Sequence, residues 1–167
     1  MIHEVKNQYI SLDIGNILAY HQHKKVALTG QINTKKIIPP SLKLKVGCFQ
    51  CRVCGAILKI PQTSDKIIKP FRCEESLGGC GRKTNFECLS DCSEFIDYAE
   101  IGLMKKIGKR TTNKIKVILQ DDTYFQYRDM AEQGINKITV KGVIEHRIKR
   151  KKIERVIIAD EIVKEEH

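Results

Sequence analysis

Residues Val26 to Gly55 read VALTGQINTKKIIPPSLKLKVGCFQCRVCG. The run Val26-Ala27-Leu28-Thr29-Gly30-Gln31-Ile32 is strand-like and opens into a polar, basic loop. Leu42-Lys43-Leu44-Lys45-Val46 alternates apolar and basic residues with period 2, the pattern of a half-buried strand. Pro39-Pro40 separates the two runs and cannot lie within a central strand. Directly after the second run, Cys51-Arg52-Val53-Cys54-Gly55 breaks the strand rhythm with a pair of thiols. The stretch 51–88 is therefore expected to be an insertion in a β-rich domain.

Working outward, strand-like runs recur at Phe95–Ile101, Ile115–Leu119, Ile138–Ile144 and Val156–Ile158. Helix is scarce. Ser11 to Tyr20 is expected to form one short helix, with Ser11 as cap and Ile14, Ile17 and Leu18 on one face. Tyr127 to Gln133, stopped by Gly134, is the other candidate. Five or six short strands with one intervening helix predict a mainly β fold, a five-stranded Greek-key barrel of the OB type. The expected layout is an N-terminal segment over 1–24, a barrel over 25–50 and 89–162, the inserted module over 51–88, and a tail over 163–167.

The 167 residues suit one domain carrying a small inserted module. Thirty Lys and Arg against 20 Asp and Glu give a net charge of +10, which excludes an acidic binding tail and makes a polyanion the first expected partner. With 41% apolar residues the composition is too apolar for a disordered chain. No apolar run approaches the roughly 20 residues of a membrane span, so no membrane partner is expected. Met1 to Ile10 carries Glu4, Lys6, Asn7 and Gln8 where a signal peptide is apolar. The protein is thus expected in the cytoplasm of a prokaryote or the nucleus of a eukaryote, and not to be secreted.

Seven cysteines, an odd number, argue against a closed disulfide set and raise the question of metal. Cys51 and Cys54 flank a tight turn, and Gly55 frees backbone N–H groups to point at sulfur. Cys73 and Cys80-Gly81 follow at a looser spacing. Four thiolates in two pairs suit one structural, tetrahedral Zn²⁺, with no open position for catalysis. Cys48/Cys51 is an alternative first pair, and Cys88/Cys92 a possible second site; small strand residues are the plainer reading of Cys48, Cys88 and Cys92. Asp121-Asp122 reads as a turn start rather than a Mg²⁺ site. Gly102…Gly108-Lys109-Arg110 has the wrong gap for a phosphate-binding loop, and Arg stands where Ser or Thr would reach Mg²⁺.

The pieces KVGCFQCRVCGAILKIPQ, SEFIDYAEIGL and KVILQDD, in this order, resemble the N-terminal OB-fold and zinc-binding region of the minichromosome maintenance (MCM) replicative helicases. The likeness spans about residues 10–162. It implies an OB-fold with an inserted zinc module, a role in DNA replication, and a basic hairpin that family members project into the channel of a hexameric ring. The family's helical subdomain and ATPase domain are not expected in this chain, so no enzyme activity is expected. The family's Gln-Glu, proline-rich loop is replaced by the short, basic Met104–Arg110.

The run His146 to Arg155, HRIKRKKIER, holds six basic residues and one acid. Lys149-Arg150-Lys151-Lys152 lies between strand-like runs and reads as a hairpin tip, where four cations repel one another unless a polyanion neutralises them. With Arg147, these residues are the expected DNA contacts. Lys35, Lys36, Lys43 and Lys45 form a second expected set around the first turn. No Trp, five Phe and five Tyr point to binding carried by phosphate contacts rather than by stacking. The expected partner is DNA, with single strands favoured, and self-association is plausible. Docking on a full-length MCM ring, and RNA binding, are the alternatives.

Overall fold

The computed structural model describes residues 8–63, 66–109 and 111–165. Outside these lie residues 1–7 of the expected N-terminal segment, 64 and 65 of the expected insert, Arg110, and the last two residues of the expected tail. The strands are β1 (Ile10–Leu12), β2 (Lys25–Gln31), β3 (Ser41–Cys51), β4 (Ile57–Pro61), β5 (Phe86–Ile107), β6 (Thr111–Gln120), β7 (Lys137–Lys149) and β8 (Lys152–Lys164), with one α-helix, α1 (Asp122–Glu132).

Two compact units divide the chain, one of residues 1–40 and 98–167, the other of Ser41–Asp97. The sequence-based boundaries at 51 and 88 fall inside β3 and β5. They lie elsewhere because residues 41–50, although strand-like, pair with β4 and the first half of β5 rather than with the barrel.

In the first unit, β2 pairs antiparallel with β7, β7 with β8, β8 runs parallel to β6, and β6 pairs with the second half of β5. Gln31 of β2 meets Met104 of β5 and closes the ring. Five strands, one parallel pair, and a helix between the third and fourth barrel strands make this an OB-fold. Twenty buried side chains fill it among the described residues, including Val26, Leu28, Leu103, Val117, Leu119, Ile138, Val140, Ile144 and Ile157. Period 2 along each strand supplies them by sending every second residue inward.

Helix α1 begins five residues before the expected start. The Thr123 hydroxyl donates to the Gln120 carbonyl (3.0 Å) and accepts from the Gln120 N–H (2.9 Å), which turns the chain out of β6 into the helix. Its buried residues Tyr124, Tyr127 and Ala131 share one face. Gly134, at φ 75°, ends it as expected. The expected helix over Ser11–Tyr20 does not form. β1 and two 3₁₀ turns, Ile14–Asn16 and Ala19–His21, take its place. β1 adds to β2 through parallel pairing, which outweighs the weak helical pattern. Ile14 and Ile17 are still buried, whereas Leu18 is exposed.

A register shift at Lys141/Gly142 bends β7 against β8. A Cβ on Gly142 would lie 2.1 Å from the Ile158 carbonyl oxygen, so only glycine permits this approach.

Candidate metal centre and basic hairpin

The second unit folds around sulfur. β3 and β4 form a hairpin, and the chain leaves β3 at Cys51 into the knuckle Cys51–Gly55. The Cys51 N–H donates to the Ala56 carbonyl (2.8 Å), and Gly55 N–H to the Cys51 carbonyl (2.9 Å). The second pair repeats the device, with Gly81 N–H donating to the Cys73 carbonyl (2.6 Å). Gly55 and Gly81 both sit at left-handed φ, 76° and 77°, as the parallel between Cys54-Gly55 and Cys80-Gly81 predicts.

These turns bring Cys51, Cys54, Cys73 and Cys80 together, with all four Sγ atoms within 4.8 Å of one another. Cys51 and Cys80 are 3.9 Å apart at sulfur, Cys54 and Cys73 3.7 Å. A tetrahedral ion with metal–sulfur bonds of about 2.3 Å sets its ligands about 3.8 Å apart, so the spacing fits one. Backbone N–H groups aim at the sulfurs: Val53 to Cys51 (3.4 Å), Ala56 to Cys54 (3.4 Å) and Cys80 to Cys73 (3.3 Å). N–H donation around Cys54 outweighs burial and lowers the Cys51 thiol to about 7, while burial pushes the Cys73 thiol up to about 12. Sulfurs packed this closely cannot all be charged unless a cation sits among them. The four cysteines can therefore hold one metal ion.

Cys48, Cys88 and Cys92 stand outside this group. The Cys48 thiol donates to the Cys92 carbonyl (2.9 Å) and is buried, so Cys51 pairs with Cys54, not with Cys48.

In the first unit, β7 and β8 continue beyond the barrel as a hairpin. Lys149 and Lys152 face each other across a two-residue turn. Arg150 and Lys151 occupy it at φ 49° and 66°, a pair of left-handed residues as a tight hairpin turn of primed type requires. Asn-Gly is the usual choice there, and two long cations are a strained one. The tip expected from the sequence is thus formed by the named residues.

Arg147 is engaged differently. Its Nε donates to Glu154 (2.8 Å) and its Nη2 to Glu100 (3.0 Å). Lys116 reaches both carboxylates, and the Tyr98 hydroxyl donates to Glu100 (2.7 Å). Burial works against the Glu100 carboxylate, but Tyr98, Arg147 and Lys116 outweigh it and hold its pKa at about 2. Arg147 thereby fastens the base of the hairpin to β5 and β6 rather than presenting its guanidinium outward.

The second basic set divides between the units. Lys35 and Lys36 are exposed on the loop after β2; Lys45 is exposed and Lys43 half-buried on β3. The loop is pinned by residues that the sequence did not single out. The Tyr124 hydroxyl donates to the Ile38 carbonyl (2.9 Å), and the Tyr127 hydroxyl accepts from the Ile38 N–H (3.0 Å). Their spacing of three, which puts two polar-tipped rings on one helix face, was the available signal.

These features define a class: an OB barrel with a four-cysteine unit inserted between its first two strands. The sequence matches the MCM OB domain over residues 14–148, and the chain belongs to that family. No curated protein matches the sequence. A similar solved structure is the 1.8 Å crystal structure of the N-terminal domain of an archaeal MCM, with a TM-score of 0.70 and 19% identity. The alignment covers 93% of this chain and 61% of that one, so the chain spans about three-fifths of its length. The family match stops at Ile148, one residue before the basic tip.

Proposed function

We propose that this chain is a non-catalytic DNA-binding module of an MCM-like replication protein, with one structural Zn²⁺ on Cys51, Cys54, Cys73 and Cys80. Zinc suits four thiolates because it takes tetrahedral sulfur ligands without a geometric preference of its own. The observation that carries the binding reading is the hairpin tip. Lys149, Arg150, Lys151 and Lys152 crowd four cations onto one turn, and two of them occupy left-handed backbone that long side chains seldom adopt. Such a tip gains free energy when it neutralises phosphates, because the counterions condensed on them are released into solution. Single strands are the favoured form, and Lys35 and Lys36 on their pinned loop are further candidate phosphate contacts. Arg147 acts as a positioning residue, because its guanidinium already holds two carboxylates.

The test is fluorescence anisotropy with single-stranded DNA, duplex DNA and structured RNA across a salt series. Salt-dependent binding to single strands supports the reading. Preference for structured RNA, or no oligonucleotide binding together with co-elution on an MCM ring, would replace it.

A further inference from the structure

The hairpin's two faces differ beyond the barrel. Ile144 and Ile157 face each other in the core. Two residues outward on the same face, Arg155 meets His146 (Nε to Nε2, 2.9 Å) and donates to the Ile17 carbonyl (2.6 Å), which closes the barrel's rim. Two residues further, past this rim, Ile148 and Ile153 stand opposite each other, 81% and 83% exposed. The other face carries the Arg147–Glu154 ion pair and then Lys149 and Lys152.

A cross-strand β-branched pair supports the hairpin beside its turn, but threonine would give the same support without leaving apolar side chains 81% and 83% exposed. Neighbouring lysines argue against a second copy as their cover, since each copy would bring the same four cations to the contact. The ligand that complements both features carries negative charge and flat apolar surface together. An unpaired nucleic-acid strand does: its phosphates meet the cations, and its base faces are free. In a duplex the same faces are buried in the stack.

We infer that Ile148 and Ile153 form an apolar platform against which the bases of a single strand pack while Lys149–Lys152 track its phosphates. This rests on the nucleic-acid reading of the tip and adds the means by which that tip prefers unpaired strands. It also modifies the expectation from aromatic content: base contact here needs no aromatic ring, because a β-branched pair held rigid on adjacent strands presents a flat apolar surface.

The test compares an oligothymidylate with an equally long strand of abasic sugar-phosphate units. Both carry the same phosphates, and only the first has bases. The native chain is expected to bind the oligothymidylate about tenfold tighter, the order of magnitude for burying two isoleucine faces. Ile148→Thr with Ile153→Thr keeps β-branching and strand preference, so its melting temperature should match the native chain. Its preference for the base-bearing strand should vanish, with the salt slope on the abasic strand unchanged. A double variant that retains the tenfold preference overturns the platform. Equal binding of both probes by the native chain also overturns it, but leaves phosphate binding standing. Failure of the native chain to bind either probe removes the nucleic-acid reading and the platform together.

Discussion

The barrel unit and the cysteine unit solve the same folding problem by different means. In the barrel, 20 described side chains share one apolar cluster, and a closed ring of strands satisfies the backbone. In the cysteine unit the buried cluster is Phe49, Cys51, Leu58, Cys73 and Phe86, and two of the five belong to the four-sulfur group. A segment the size of Ser41–Asp97 is marginal on apolar burial alone, so a staple adds a large share of its stability. The difference teaches that an ion on the four sulfurs would be part of the second unit's core, while the first unit's core is apolar packing throughout. The proposed DNA contacts follow this division: the hairpin and the tyrosine-pinned loop both belong to the barrel unit.

The sharpest way to break this contrast is to remove the metal. Cys51→Ser, Cys80→Ser or a strong chelator should abolish the one zinc expected per chain and unfold residues 41–97, because a structural zinc contributes on the order of 10 kcal/mol to a small domain. Metal analysis and hydrogen exchange read the two effects, and the barrel amides should remain protected. Retention of full zinc by both variants would disprove the four-cysteine site, and two zinc ions per chain would implicate Cys48, Cys88 and Cys92.

A smaller effect tests the other half. Leu28 is fully buried in the barrel, and Leu28→Ala should cost about 2–5 kcal/mol in denaturant unfolding. Zinc content should not change if the two units draw on separate cores.

Next comes the ion network at the hairpin's base. Glu100→Gln should cost about 1–2 kcal/mol, discounted for partial exposure, and should loosen the hairpin. The sign with pH is fixed by the direction of the shift. Glu100 titrates near 2 when folded against an ordinary 4.5, so its contribution is complete above about 4.5 and is lost as pH falls towards about 2. Acid unfolding of the native chain should show this loss, and the variant should lack that component.

The smallest effect on stability belongs to the tip. Lys151→Ala with Lys152→Ala should leave the melting temperature nearly unchanged, since exposed charges contribute little. The slope of log K against log salt should fall by about 1.4 for single strands, at roughly 0.7 per phosphate. Lys66→Ala with Lys69→Ala in the cysteine unit is the control pair. An unchanged slope in the hairpin variant would make the tip a solvated turn.

Much of this was legible along the chain. Strand-like runs, one of them alternating, predicted the six longest strands, the paired Cys-Gly steps predicted the knuckles, and four adjacent cations between Ile148 and Ile153 predicted a tip. Each is a local signal: a period, a fixed spacing, a cluster of charge. Ser11–Tyr20 misled because a helical pattern over ten residues is weaker than the pairing that β1 gains along β2.

What the residues could not state alone was partnership. Leu42–Val46 reads as a strand in either unit, and only its pairing with β4 and β5 assigns it to the cysteine unit. Arg147 looks like its basic neighbours until Glu100, 47 positions earlier, and Glu154 take its guanidinium. Ile148 continues the inward-facing alternation of β7, yet the rim closed by Arg155 leaves it in solvent. Local structure is encoded by residues within a turn or two of one another, so the sequence determined the strands, the knuckles and the turn. Which strand lies beside which, which cation is already paired, and where the core ends depend on contacts between residues far apart in the chain, and those the tertiary structure decided.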